Sequence, residues 1–434
     1  MRLILAVTRG MLIWFVLCLC FSVSFGQEVT QHDNGRKADF ASLVIEVAKS
    51  VVPDTKGTYY PDRDEVRIVD AKTGEVRFVV FLDNLFNQTK DDSRSEKRSF
   101  VKKFLSEAMR GEKKTTKAEL IQNLQIRPRT RRELAYRKYL FGGVTENSVV
   151  KPYGEIIAEI VVDMPNSLSP LMEYRLNEVH LSRQKALTIA LQHTKKNLSS
   201  QKWVQVDTHI WGLEDQDDYS SARMIVGVDE MKLPVQGDWI AYIPSHGTVL
   251  ITDHSDSKTI DKLLKLGDEL AGDYRAFSWS LWKYENKNWR VWKPSRQNSA
   301  YPVVKNQYLL RDVRENEEAA AILNNYFEQK NAPEYVAKQL LYKDRNSGRR
   351  LTLAVYPIGV KFWLPKSDNI SLVMSDEADP KYVGMLSWKN FVSIIGERNL
   401  ITFPDPEIEL YAVPASLSPE VRKKLIRSAR IDPG

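Results

Sequence analysis

Cys18 and Cys20 are the only cysteines in the 434-residue chain, and both fall in the apolar run "MLIWFVLCLCFSVSF" near its start. Arg2 and Arg9 flank the beginning of that run, and Ser24 and Gly26 put small residues just before Gln27. This is the pattern of an export signal, so residues 1–26 are expected to be removed and the protein to be periplasmic or secreted. An apolar stretch of about 15 residues is short against the roughly 20 of a spanning helix, which leaves an uncleaved N-terminal anchor as the alternative. No later segment reads as a membrane span. A chain cut before Gln27 carries no thiol. Disulfides, zinc–thiolate centres and cysteine nucleophiles then fall away, and core packing alone must hold the fold. Roughly 400 residues can supply such a core, divided among two or three domains.

The patterning indicates an α+β chain: antiparallel sheets with flanking helices in two units, followed by a C-terminal α+β unit. Residues 27–36 read as a polar leader. Within 37–112, Phe40, Leu43, Val44, Val47 and Val51 share one helix face. "EVRIVDAKTGEVRFVVFL" alternates about a Thr-Gly turn as a hairpin, and "SEKRSFVKKFLSEAMRG" reads as an amphipathic helix ended by Gly111. Residues 113–145 read as a basic connector. The central unit, 146–296, opens with the strand "YGEIIAEIVVDMP" and a helix, "RQKALTIALQHTKKNL", that Ser182 can cap. "WVQVDTHIWG" alternates as a strand, "DWIAYIPSHGTVLITD" turns at 245–247, "SKTIDKLLKLGDELAG" is helical, and "YRAFSWSLWKYENKNWRVWKP" is a hairpin turning at 285–288. The last unit, 315–434, places helices at "NEEAAAILNNYFEQK", "PEYVAKQLLYK" and "SWKNFVSIIGE". Strands are expected at "RRLTLAVYPIGVKFWLP", "ISLVM" and "EIELYAVPA", before a basic terminal helix.

The order "EIIAEIVVDMPNSL", "YRLNEVHLSRQKALTIALQHTKKNL", "DDYSSARMIV", "YIPSHGTVLITD" and "YRAFSWSLWKYENKNWRVW" resembles the YtpQ-like domain of unknown function, a bacterial family, over roughly residues 40–294. The family's turn carries a Gly and an Asp where this chain has Asp218 and Ser220, whereas Tyr219 and Arg223 match. The resemblance implies a shared fold and no assigned activity. Against it, this chain looks like an exported relative with a C-terminal extension.

No named chemistry stands out. "EDQDDYSS" offers carboxylates to a hard cation, but counting from Asp215 the sixth and twelfth positions are Ser220 and Val226, not the Gly and Glu of an EF-hand. The six histidines show no H-E-x-x-H or H-x-H pair. Ser245 and His246 are adjacent and would not face each other on a strand. No phosphate loop occurs. The expectation is therefore no metal, no cofactor and no catalytic residue. Arg223, inside an apolar run, must point outward or pair with a buried carboxylate, and Asp215 or Asp217 beside Tyr219 would make the loop a structural latch. Two features could bind a partner. The stretch from Arg110 to Lys138 holds ten Lys or Arg against three Glu, suited to anionic polymers, with nucleic acid less available to an exported protein. The hairpin carries Trp279, Trp282, Tyr284, Trp289 and Trp292, with Arg290 among them. Alternation puts Trp279 and Trp282 on opposite faces, one for the core and one for a ligand or further packing. The function expected is that of a non-catalytic envelope protein binding a polymer or protein. The alternatives are a carboxylate hydrolase of an envelope polymer using Asp215 or Asp217, and a polyanion or nucleic-acid binder.

Overall fold

The computed structural model describes residues 31–429 except 62–64, 73, 75, 111–115, 141–147, 165–166, 215–216, 218, 227–237, 272–276, 345–346, 375–380 and 415. The signal at 1–26, the start of the polar leader, Gly111 and Asp215 lie outside the described residues. The fold is α+β. The chain forms two compact units, Glu28–Arg131 with Glu146–Val304, and Arg132–Thr145 with Lys305–Gly434. Residues 37–112 and 146–296, expected to be separate, thus fall in one larger unit.

In that unit the helix Gln31–Val51 buries Phe40, Leu43, Val44 and Val47, with Val51 half-buried at its end. They pack on an antiparallel sheet of β1 (Thr55–Tyr60), β2 (Glu65–Asp70) and β3 (Val76–Phe81), and on Val101 and Leu105 of the helix Arg94–Arg110. The β2–β3 pair is the expected hairpin.

Residues 113–145 are no connector. They supply the helix Lys117–Gln122, entered through a Thr116–Glu119 capping box, then β4 (Leu124–Thr130), then the helix Arg131–Leu140. β4 is buried through Arg129 because Leu124 and Ile126 face an apolar core while its arginines find partners inside the protein. It borders a sheet ordered β4–β6–β5, with β5 (Val150–Tyr153), β6 (Ile156–Met164) and β7 (Ser167–Pro170), which also pairs β6. Edge position tolerates Pro128, which donates no ladder bond. The helix Arg183–Leu198, capped by Ser182 as its sequence suggests, covers this edge, and Thr194 Oγ1 accepts from the Ile126 amide at 2.8 Å.

A six-stranded antiparallel sheet completes the unit in the order β13–β12–β10–β11–β9–β8. Its strands are β8 (Trp203–Asp207), β9 (Ile210–Leu213), β10 (Trp239–Ser245), β11 (Thr248–Thr252), β12 (Leu281–Glu285) and β13 (Asn288–Val291). "WVQVDTHIWG" is therefore a hairpin, not one strand, because His209 takes a left-handed φ of 61° and reverses the chain. The helix Ser257–Ala271 lies against this sheet at Gly267, where a Cβ would come within 2.4 Å of the Tyr242 ring. Gly154 has φ +71°, and a Cβ there would meet the Trp289 carbonyl at 2.3 Å, so only glycine lets the 154–155 turn bond to β13.

In the other unit, the helix Arg131–Leu140 sends Tyr136 and Tyr139 into a cluster with Leu323 and Phe327 of the helix Tyr301–Gln329. That helix begins at Tyr301, before the expected start at 315. "PEYVAKQLLYK" is not helical. Its end forms β14 (Gln339–Lys343), paired along its length with β15 (Arg350–Ile358). The sheet runs β14–β15–β17–β18, with β17 (Asn369–Met374) parallel to β15 and antiparallel to β18 (Lys381–Ser387). A second sheet joins β16 (Phe362–Pro365), β20 (Leu410–Val413) and β19 (Ile401–Thr402). The helices Trp388–Ile395 and Pro419–Ser428 close that core through Phe391, Ile395 and Leu425.

Candidate functional site

The β12–β13 hairpin sorts its aromatic residues inward. Trp282, Trp289 and Trp292 are buried, and Trp282 and Trp289 belong to the core of the larger unit. Trp289 Nε1 donates to the Met224 carbonyl at 2.7 Å, while its ring lies 4.9 Å from that of Tyr284. Tyr284 is half-buried and stacks on Trp239. Trp279 is half-buried in the bend before β12, so strand alternation does not apply to it. Trp282, Trp289 and Trp292 thus take the packing that alternation left open beside a ligand face, and Trp279 precedes the strand it was placed on. A sheet covered on one face by the β4–β6 layer has more apolar surface to hide than an isolated hairpin, and the tryptophans hide it.

What the hairpin shows outward is polar. A groove of about 450 Å³ is lined by Glu155, Lys283, Glu285, Arg290, Trp292 and Lys293, among others. Lys283 reaches Asp238 at 2.7 Å and Glu285 at 3.5 Å, and its bond to Asp238 foremost raises the ammonium pKa. Glu155 accepts from the Val291 amide at 3.1 Å, which ties the 154–155 turn to this rim. Arg290 and Lys293 are exposed. Of the residues singled out in the sequence, only Arg290 and Trp292 line this groove.

The acidic turn shapes the entry to its own short helix, and Arg223 bonds elsewhere than the latch expectation placed it. Asp217 Oδ1 accepts from the Tyr219 amide at 2.8 Å, and its own amide donates to Ser220 Oγ, which shapes the entry to the short helix Ser220–Met224. Arg223 makes no ion pair with Asp217. Its guanidinium donates to the carbonyls of Leu198 and Gln201, the latter at 3.0 Å, at the C-terminal end of the helix Arg183–Leu198. Burial lowers the pKa of Arg223, an effect that Asp217 partly offsets. Carbonyls at a helix end can accept from a cation in place of a carboxylate, and composition does not distinguish the two cases.

His246, at the β10–β11 turn, is sealed rather than exposed. Its Nδ1 lies 3.2 Å from Ser221 Oγ, its Nε2 lies 3.5 Å from the Arg129 guanidinium, and Arg129 Nε donates to Glu159 at 2.9 Å. Ser221, His246 and Glu159 have no exposed surface. Arginine only donates, so a bond from Arg129 needs Nε2 as acceptor and leaves the proton on Nδ1, facing Ser221. A catalytic base needs the reverse polarity, with the hydroxyl donating to the imidazole. The adjacent Ser245, weighed against His246 in the sequence, is buried and takes no part. Arg127 and Arg129 are likewise inside, and Arg132 pairs with Glu315, so the described residues 116–138 form no continuous cationic surface.

One grouping was invisible along the chain. His209, Asp253 and His254, from different loops, bring one ligand atom each within 4.8 Å of one another. Sequence spacing offered no metal-ligating constellation; β9–β11 pairing brings together a group that could hold an ion. No described helix is long and apolar enough to cross a membrane. No family model, curated protein or solved structure matches the chain.

Proposed function

We propose that the protein is an exported binding protein of the cell envelope that holds a polar polymer or protein partner along the β12–β13 groove without breaking bonds in it. The observation that carries this reading is the groove itself. Cations (Lys283, Arg290, Lys293) alternate there with carboxylates (Glu155, Glu285) on the rigid edge of a six-stranded sheet. Such a rim offers both donors and acceptors, which suits a ligand rich in hydroxyl, amide and charged groups. Export rests on the pattern of residues 1–26, and kinship with the YtpQ-like domain rests on the resemblance over 40–294.

The test is co-sedimentation of the mature protein with isolated envelope polymer and capture of envelope proteins from native extract. The double variant Arg290→Glu/Lys293→Glu should lose binding while melting like wild type, since both side chains are exposed. Retained binding would remove the groove from the function. The hydrolase reading now rests on Glu155 and Glu285. Polymer turnover abolished by Glu285→Gln would replace the binding reading with it.

A further inference from the structure

His209 sits at the tip of the β8–β9 turn, and Asp253 and His254 follow directly after β11. In the β9–β11 pairing, Gly212 faces Leu250 and Trp211 faces Ile251. Continuing that antiparallel register two steps puts Asp253 opposite His209, so sheet geometry, not chance proximity of loops, joins them. The imidazoles of His209 and His254 lie ring to ring, with centroids 3.8 Å apart and planes inclined by 32°. His254 Nε2 is 3.7 Å from Asp253 Oδ1, and His254 Nδ1 is 3.8 Å from Asp256 Oδ2.

Neither separation is a hydrogen bond, which would bring the atoms to about 2.8–3.0 Å. The first is near what a shared ion requires. Donors about 2.0–2.1 Å from one zinc-like ion lie roughly 3.3 Å apart in a tetrahedral site; the three candidate atoms lie within 4.8 Å of one another, so the imidazoles re-orient on binding to converge on the ion. Asp256 is already committed. Its carboxylate accepts from the Thr259 amide at 3.0 Å at the start of the helix Ser257–Ala271. It therefore stands where an outer carboxylate orients a metal-bound histidine through Nδ1, leaving Nε2 for the ion. Asp207, near the turn, is held by Lys262 and adds no ligand. Finally, His209 occupies a left-handed conformation that non-glycine residues adopt at a cost.

We propose that His209, Asp253 and His254 bind one first-row divalent ion of the zinc type, with water in the fourth position. The bound ion ties the β8–β9 turn to the chain entering the helix Ser257–Ala271. Two imidazoles and one carboxylate select zinc, cobalt, nickel or copper over calcium and magnesium, which favour all-oxygen sets. His254 is exposed over 42% of its side chain, so the ion can enter and its fourth position meets solvent.

Metal-stripped mature protein should bind one equivalent of Zn²⁺ by calorimetry. Co²⁺ at the same site should show visible d–d absorption, and Ca²⁺ should not compete. Zinc should raise the melting temperature by a few degrees, reversed by EDTA. His254→Ala and His209→Asn should each weaken Zn²⁺ binding at least about ten-fold. Asparagine tolerates the left-handed turn, so the second variant keeps the fold while removing the imidazole. His180→Asn, a turn histidine also at positive φ, is the control and should bind as wild type does. Absence of saturable Zn²⁺ binding would overturn the proposal. So would equal affinity in the double variant His209→Asn/His254→Ala, which would make the binding adventitious.

Discussion

Two histidine clusters in the larger unit differ in almost every physical respect. Around His246 a chain of buried contacts runs from Glu159 to Ser221: Glu159 holds Arg129, Arg129 faces His246, and His246 faces Ser221. Around His209 and His254 the side chains reach solvent, and their closest acid–imidazole separations exceed hydrogen-bond length. Burying a charge is costly unless it is paired, so the first cluster must be complete within the protein to exist at all. The second lies at the surface, where water can also serve its polar groups. The difference teaches where to look for ligands. A satisfied interior network specifies packing, whereas a half-open set of good donors held by strand register leaves room for something from outside.

The largest effect expected is at the sealed cluster. Glu159→Ala removes the carboxylate to which Arg129 Nε donates in the interior and should cost about 3–5 kcal/mol, measured from urea midpoints. A loss below ~1 kcal/mol would mean that Arg129 is solvated and would erase the contrast. Arg223→Ala should cost about 2 kcal/mol by leaving the Leu198 and Gln201 carbonyls without their charged donor. An unchanged midpoint would show that these bonds add nothing to stability.

Asp256 borders the open cluster and offers a pH test. The Thr259 amide foremost holds its carboxyl below the ordinary value of 3.8. A depressed carboxylate contributes stability that is present above the unfolded value and lost as pH falls through the lower folded one. Asp256→Ala should therefore cost about 1 kcal/mol at pH 7, a helix-cap magnitude, and the deficit should shrink on acidification below about pH 4. A deficit constant down to pH 2 would assign the loss to something other than the ionised cap.

The smallest effect belongs to the open histidine itself. In metal-free buffer His254→Ala should shift stability by no more than about 0.5 kcal/mol, as for an ordinary surface change. A loss above 2 kcal/mol would show that the open cluster is structural like the sealed one.

Local pattern determined much of this protein. Periodicity located the helix face from Phe40 to Val47, Ser182 announced its helix, and alternation with turn residues marked the β2–β3, β10–β11 and β12–β13 hairpins. These are effects of neighbours in the chain, and the chain displays them directly. It misled where long-range partners set the outcome. β4 looked like a charged connector because the partner that lets Arg129 go inside, Glu159, lies thirty positions away. β14 resembled helix until pairing with β15 supplied its bonds. The hairpin tryptophans had two faces to choose from, and only the layer stacked on the sheet made the choice. The groove, the Ser221–His246 contact and the meeting of His209 with His254 follow from which strands are neighbours. Strand order is a property of the assembled sheet, because each pairing gains its free energy only when both segments have already found each other.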